Sequence, residues 1–204
     1  MKVLTVVTHP REESLTFAVA DKFMQGLRDA GHEIEVLDLY RSGFNPVLKE
    51  EDEPDWQAEQ QQFSWEVEKE MERLEKYEAL AFIFPLWWWS VPAMLKGYID
   101  RVWNYHFAYG NQRLKHHHVL WLSLAGGAPI ERFEKRKYDS MMNHYFNIGL
   151  ADYCGIPSSQ FELFYDTIKV KSGYTEHWFQ RAYKLGYHFD KNDRSKKNVL
   201  DNER

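Results

Sequence analysis

Three segments of this chain combine residue types in ways that packing alone does not require. The first is His9-Pro10-Arg11-Glu12-Glu13-Ser14-Leu15-Thr16, a polar loop ahead of an apolar repeat at helical spacing. The start of a helix leaves backbone N–H groups unpaired and carries partial positive charge, so it attracts phosphate. Ser14 and Thr16 add hydroxyl donors, and His9 adds a ring N–H or a charge. The loop holds no glycine, which excludes both glycine-rich phosphate fingerprints. By itself it reads more simply as a plain N-cap beside a surface histidine.

The second segment is Phe84-Pro85-Leu86-Trp87-Trp88-Trp89-Ser90-Val91-Pro92. Three consecutive tryptophans cannot all enter one core, because side-chain direction changes along any backbone. A rigid proline-flanked loop offers flat apolar contact together with backbone donors, the two things a planar heteroaromatic ring such as an isoalloxazine needs. The competing reading is a tryptophan cluster that closes a hydrophobic edge or a subunit contact. The third segment is Leu124-Ala125-Gly126-Gly127, where paired glycines let the backbone approach a ring or a phosphate closely. Gly-Gly after a strand is also an ordinary turn.

The elements that must position these segments follow from periodicity. Residues 2–8 are a β-branched run suited to a buried strand, and Phe17, Ala20, Phe23, Met24 and Leu27 then recur at helical spacing until Gly31. Glu33 to Leu39 is a second strand, which makes a βαβ unit and parallel pairing. Residues 41–62 break the rhythm with Gly43, Pro46 and Pro54, and read as a long connection. The charged segment 64–78 is a helix with a solvated face. Strands at 79–84, 118–124 and about 160–165 alternate with helices after Pro92, around 137–150 and around 175–189. Five strands alternating with helices predict an α/β, doubly wound, five-stranded parallel sheet with helices on both faces. Such sheets bind ligands at the carboxyl ends of their strands, which is where the three unusual segments fall. We expect one domain over 1–190 and a polar tail over 191–204.

Composition narrows the partners. Net charge is −5 with no basic footprint, which argues against nucleic acid. No apolar run reaches the ~20 residues of a membrane span, so no membrane insertion is expected. Cys154 is the single cysteine, so no internal disulfide is available and a cytoplasmic location is expected. Consecutive strand residues place only His116 and His118 on one face with no completing ligand, so no metal site is expected. Aromatic residues make up 16% of the chain, an excess that suits either an aromatic core or a flat ligand.

The stretch Phe84 to Trp103, Phe-Pro-Leu-Trp-Trp-Trp-Ser-Val-Pro-Ala-Met-Leu-Lys-Gly-Tyr-Ile-Asp-Arg-Val-Trp, resembles the signature of the NAD(P)H dehydrogenase (quinone) family, the DT-diaphorase-like flavoproteins. Collinear matches follow at Thr8-His9-Pro10 with Ser14, Asp38-Leu39-Tyr40, Phe44-Asn45-Pro46, Phe107-Ala108-Tyr109, Ala125-Gly126-Gly127 and Tyr153-Cys154-Gly155. The resemblance implies a flavodoxin-like homodimer that carries hydride from NAD(P)H to quinones or similar aromatic acceptors by a ping-pong route. It implies FAD, with FMN as the alternative. By position, His9, Ser14, Leu15 and Thr16 would hold the phosphate region. Pro85, Leu86, Trp87, Trp88 and Trp89 would line the ring, opposite Leu124, Ala125, Gly126 and Gly127. Trp89, Ala108, Tyr109, Gly110 and Tyr153 would contact the acceptor, with Tyr153 supplied by the partner subunit. The stretch Ala128 to Phe133 departs from the family pattern, so no proton-relay residue is assigned. Tyr138 and His144 are unaligned candidates, and Arg132 has the charge to stabilise an anionic reduced ring. Two other roles share these features: a regulatory subunit of a potassium-efflux system, and an electron carrier of the flavodoxin type.

Overall fold

A computed structural model of the protein describes residues 1–168 and 174–190, so the tail expected over 191–204 lies outside the described residues. Five parallel strands form one sheet: β1 (Lys2–Val7), β2 (Glu33–Asp38), β3 (Ala79–Pro85), β4 (His118–Leu124) and β5 (Ser159–Phe164), in the order β2-β1-β3-β4-β5. Pairing is parallel throughout, with Val7 opposite Asp38 and Ile83, and Pro85 opposite Leu124.

The central strands show why both faces must be covered. In β3, Ala79, Ala81 and Ile83 point to one side and Leu80, Phe82 and Phe84 to the other, all fully buried. On the first side lie α1 (Leu15–Asp29) and α6 (Tyr174–Tyr187), and on the second lie α2 (Trp65–Leu74) and α3 (Ala93–Val102). The α1–α6 contact depends on glycine. A Cβ on Gly26 would lie 2.1 Å from the Tyr183 carbonyl oxygen, and one on Gly186 would lie 2.0 Å from that of Phe23.

One expected helix is three pieces. The apolar spacing predicts a helix over about 137–150. The chain instead forms α4 (Ile130–Arg136), breaks at Lys137 in the left-handed region (φ 57°), continues as α5 (Tyr138–His144), and runs into a π-helical stretch, Tyr145–Asp152. The turn at Lys137 lets Phe133 line the cleft described below while Tyr138 stacks on Trp89, one of its walls.

The charged helix α2 also differs from a simple solvated face. Its Glu70 is buried, accepts from Tyr98 Oη at 3.3 Å and pairs with Arg73 at 3.0 Å, and Arg73 also pairs with Glu35. The long connection is anchored in the same region. Arg101 of α3 is wholly buried and pairs with Asp52 at 2.7 Å and Glu66 at 2.6 Å, while its guanidinium lies 4.9 Å over the Phe44 ring. Gly97 on α3 admits the connection, since a Cβ there would collide with the Pro46 carbonyl at 2.1 Å. The matched Phe44-Asn45-Pro46 and Lys96-Gly97 motifs are thus two sides of one contact.

Candidate functional site

The strand order reverses between β1 and β3, and the loops leaving their carboxyl ends diverge to open a crevice, as the fold dictates. That crevice is a cleft of about 610 Å³, within the size range of small-molecule sites. His9, Ser14, Leu15 and Thr16 line it from β1, and Pro85, Leu86, Trp87, Trp88 and Trp89 from β3. From β4 come Leu124, Ala125, Gly126 and Gly127. Every residue singled out for ring or phosphate contact therefore reaches one cavity.

At the β1 end, Ser14 caps α1, its Oγ accepting from Phe17 N–H at 3.3 Å. Among the described residues the N–H groups of Leu15 and Thr16 have no protein acceptor, as expected in a first helical turn. His9 Nδ1 lies 3.0 Å from the Arg11 carbonyl oxygen and 3.1 Å from the Arg11 amide: protonated it donates to the first, and with the ring proton on Nε2 it accepts from the second. Burial, with help from the nearby Arg11 and Arg41 charges, lowers the His9 pKa, so the ring is neutral near pH 7.

The β3 loop is a tight hairpin. Trp87 N–H donates to Ser90 O at 3.1 Å and Ser90 N–H to Trp87 O at 3.0 Å, with Trp88 (φ 51°) and Trp89 (φ 60°) both left-handed at the tip. A two-residue turn with both φ values positive is type I′, which normally selects Asn and Gly. Two indoles there are an outlier of the kind that gathers at functional sites. No ring of the three is buried: Trp88 is 93% exposed, whereas Trp89 stacks on Tyr138 at 4.0 Å and meets Phe133 edge-on at 5.5 Å.

Opposite the hairpin, Leu86 N–H donates to Leu124 O at 2.8 Å and ties the two loops together. Gly126 lies under Ile168, whose Cδ1 would sit 2.7 Å from a Cβ at that position. Thr167 N–H and its hydroxyl both donate to Ala125 O at 2.9 Å. Thr167, Ile168, Phe133, Ala128 and Arg11 complete the lining and were not among the expected site residues. Arg11 and Ala128 adjoin matched motifs, but nothing local marks Thr167 or Ile168, which reach the cleft through the strand pairing of β4 with β5.

Of the expected acceptor contacts only Trp89 lines the cleft; the others fall elsewhere in the chain. Ala108, Tyr109, Gly110 and Tyr153 do not line the cleft. Tyr109 lies 5.7 Å from Tyr105 and 6.0 Å from Tyr153, and Tyr105 lies 4.9 Å from the exposed Trp56. Gly110 (φ 89°) allows the turn because a Cβ would strike the Tyr105 ring at 2.4 Å. Within one chain the structure joins Trp89 to Tyr138 rather than to this surface ladder of aromatics.

Of the unaligned candidates, Tyr138 touches the cleft wall through Trp89, Arg132 is exposed, and His144 lines a separate polar groove. That groove, about 790 Å³ between α5 and β5, exceeds the cleft in volume but holds none of the expected site residues. Site chemistry, not size, favours the cleft. His116 Nε2–H donates to Leu74 O (3.0 Å), and burial lowers the ring's pKa to about 4; Cys154 is buried, which pushes its thiol up to about 11. Both are packing residues at neutral pH. Among the described residues no helix is long and apolar enough to cross a membrane, and no group of three or more His, Cys, Asp or Glu gathers to hold a metal ion.

Residues 1–184 match the flavodoxin-like fold family. An uncharacterized NAD(P)H oxidoreductase of Escherichia coli, YcaK, is 39% identical over 82% of this chain and 85% of its own. The rat NAD(P)H dehydrogenase [quinone] 1 is 30% identical over 53% of this chain and 45% of its length. Among solved structures, an NAD(P)H:quinone oxidoreductase from Methanothermobacter marburgensis superposes with TM-score 0.83 at 31% identity, covering 93% of this chain and 97% of that one. Fold, cleft and relatives agree that the chain belongs to the flavodoxin-like family, among its NAD(P)H oxidoreductases.

Proposed function

We propose that the protein is a flavin-dependent oxidoreductase that carries hydride from NAD(P)H to quinones or similar flat aromatic acceptors, with FAD as its cofactor and FMN as the alternative. The observation that carries this reading is the single cleft with phosphate donors at one end and ring contacts at the other. The fit to a flavin nucleotide rests on open donors. Besides the Leu15 and Thr16 amides, the N–H groups of Trp88, Trp89, Gly126 and Gly127 have no protein acceptor among the described residues. Those at the helix start suit a phosphate, and those at the two facing loops suit the edge nitrogens and carbonyls of a ring.

When bound, the flavin supplies two-electron hydride chemistry that no side chain offers. The protein's part is to bind and orient. α1 and His9 would hold the phosphate end, and the Trp87–Trp89 hairpin and the Ala125–Gly127 turn, with Ile168 packed against Gly126, would hold the ring. A cleft used in turn by donor and acceptor gives ping-pong kinetics. Flat aromatic walls select by area, so a broad range of acceptors is expected.

The acceptor wall needs a second copy of the chain. Tyr109 and Tyr153 lie outside the cleft, and Tyr153 is 59% exposed, so these rings serve the partner subunit's cleft in a homodimer. The reading treats residues 1–190 as one functional domain and places it in the cytoplasm, which suits a lone buried thiol.

The test is spectroscopic and kinetic. Purified protein should be yellow, should release FAD or FMN on denaturation, and should oxidise NAD(P)H steadily with a benzoquinone while scattering light as a dimer. Failure to bind either flavin removes the reading. Flavin binding without turnover leaves a carrier or a regulatory subunit, such as one serving a potassium-efflux system. A fully active monomer removes the shared site.

A further inference from the structure

Arg41 lies just past β2, outside the cleft lining, yet its guanidinium ties Asp38 at the end of β2 to the loop that starts α1. Nη1 donates to Asp38 Oδ2 at 2.7 Å and to His9 O at 3.4 Å, Nη2 donates to Pro10 O at 3.1 Å, and Nε pairs with Glu12 at 2.5 Å. The fork also lies 5.3 Å over the Phe17 ring. Asp38 fixes where Arg41 begins, its Oδ1 accepting the N–H groups of Tyr40 and Arg41 at 3.0 and 3.3 Å.

Two consequences follow. Pulling the Pro10 carbonyl toward Arg41 turns the other end of the same peptide, the Arg11 N–H, away from it and onto His9 Nδ1 at 3.1 Å, and the Arg11 carbonyl lies 3.0 Å from the same nitrogen, so either tautomer is held by the turn that Arg41 fixes. Arg41 thereby sets the orientation of the His9 ring in the cleft. The second consequence is electrostatic. Glu12 lies two residues before the N-cap Ser14, and a free carboxylate there would compete with an incoming anion for the Leu15 and Thr16 amides. The ion pair holds the Glu12 carboxylate on Arg41, outside the cleft lining.

We propose that Arg41 is a positioning residue for the phosphate of the flavin nucleotide, acting by orienting His9 and by withholding Glu12 from the start of α1. The inference rests on the flavin reading above and adds a residue that touches neither ring nor phosphate.

The full chain, dialysed free of flavin, is titrated with FMN, FAD and riboflavin by fluorescence quenching. Riboflavin has the ring without the phosphate. Arg41→Ala should raise the Kd for FMN and FAD about tenfold, the size of one charge-assisted contact, and change that for riboflavin less than about twofold. Adding Glu12→Gln to Arg41→Ala should recover about threefold of the loss, since the competing charge is then gone. Arg41→Lys keeps the charge but loses the fork to two carbonyls; it should fall between the two and stands in if the alanine variant does not fold. Equal weakening of FMN and riboflavin would make Arg41 only a brace for the fold and overturn the proposal, as would unchanged FMN affinity. No recovery with Glu12→Gln would overturn its electrostatic half. A wild-type chain that binds none of the three probes sinks the flavin reading itself, which is a separate and visible result.

Discussion

Asp52→Ala should destabilise the protein by about 3 kcal/mol, near the lower end for breaking a buried ion pair. Asp52 and Arg101 are both 0% exposed, and the carboxylate takes two bonds from the guanidinium, at 2.7 and 3.1 Å, and a third from Ser64 N–H at 2.8 Å. Removing it strands a buried cation. Glu66, at 2.6 Å, still faces Arg101, which is why the lower end applies. For a chain of this size the midpoint should fall by ~6–12 °C in a thermal melt. Replacing the pair by Leu and Met should cost less than the single alanine change, because no wholly buried charge is then left unpaired and Glu66, which loses Arg101, is 29% exposed and reached by water. A single-variant shift under about 2 °C would refute the ion-pair account.

The same pair carries a pH signature. Burial alone would raise the Asp52 carboxyl, but the Ser64 N–H and the Arg101 guanidinium outweigh it and hold it below the ordinary range. A folded value below the unfolded one, about 3.9, makes the stabilisation complete above that pH. It is lost as pH falls through the folded value. The gap between wild type and Asp52→Ala should stay level from neutral to mildly acid pH and close only below about 4.

Trp88→Asn should do the opposite to stability and harm function. Trp88 sits at φ 51° in the first central position of a type I′ turn, where an ordinary L-residue costs about 1–2 kcal/mol and Asn is well tolerated. Its ring is 93% exposed in the single chain, so little packing is lost on replacement. The melt should rise by ~2–4 °C, corresponding to about 1 kcal/mol. Function should fall because the exposed indole is free to stack on a ligand, and stacking adds ~0.5–1.5 kcal/mol to the area it buries. We expect the quinone KM or the flavin Kd to worsen about tenfold or more. At Trp89 the same change should bring no gain, since that ring already stacks on Tyr138. A Trp88→Asn protein that melts lower yet turns over normally would contradict both the strain and the stacking arguments.

Much of the site was legible because a parallel sheet sends every strand's carboxyl end to the same edge. Once the strand runs at 2–8, 79–84 and 118–124 were read from their apolar composition, the loops after them had to converge. That is why His9, Trp87 and Gly126, far apart in sequence, share one cleft. The strand assignments agree with the structure to within a residue or two, because buried parallel strands are nearly continuous in apolar residues.

What sequence could not supply depends on partners far away along the chain. Arg41 and Glu12 are both ordinary surface charges until β2 pairs with β1 and brings them together. Asp52 reads as one acid in an acidic run, and only the packing of the long connection against α3 buries it on Arg101. Thr167 and Ile168 enter the cleft because β5 lies beside β4, and no local pattern announces that. The break at Lys137 and the left-handed tryptophans are conformations that side-chain type disfavours, so they were invisible to propensity. Local sequence set the period of each element and hence the sheet with its ligand edge. The long-range contacts then chose which polar groups are paired, which are left open in the cleft, and where the backbone departs from its local preference, because those energies exist only once distant segments touch.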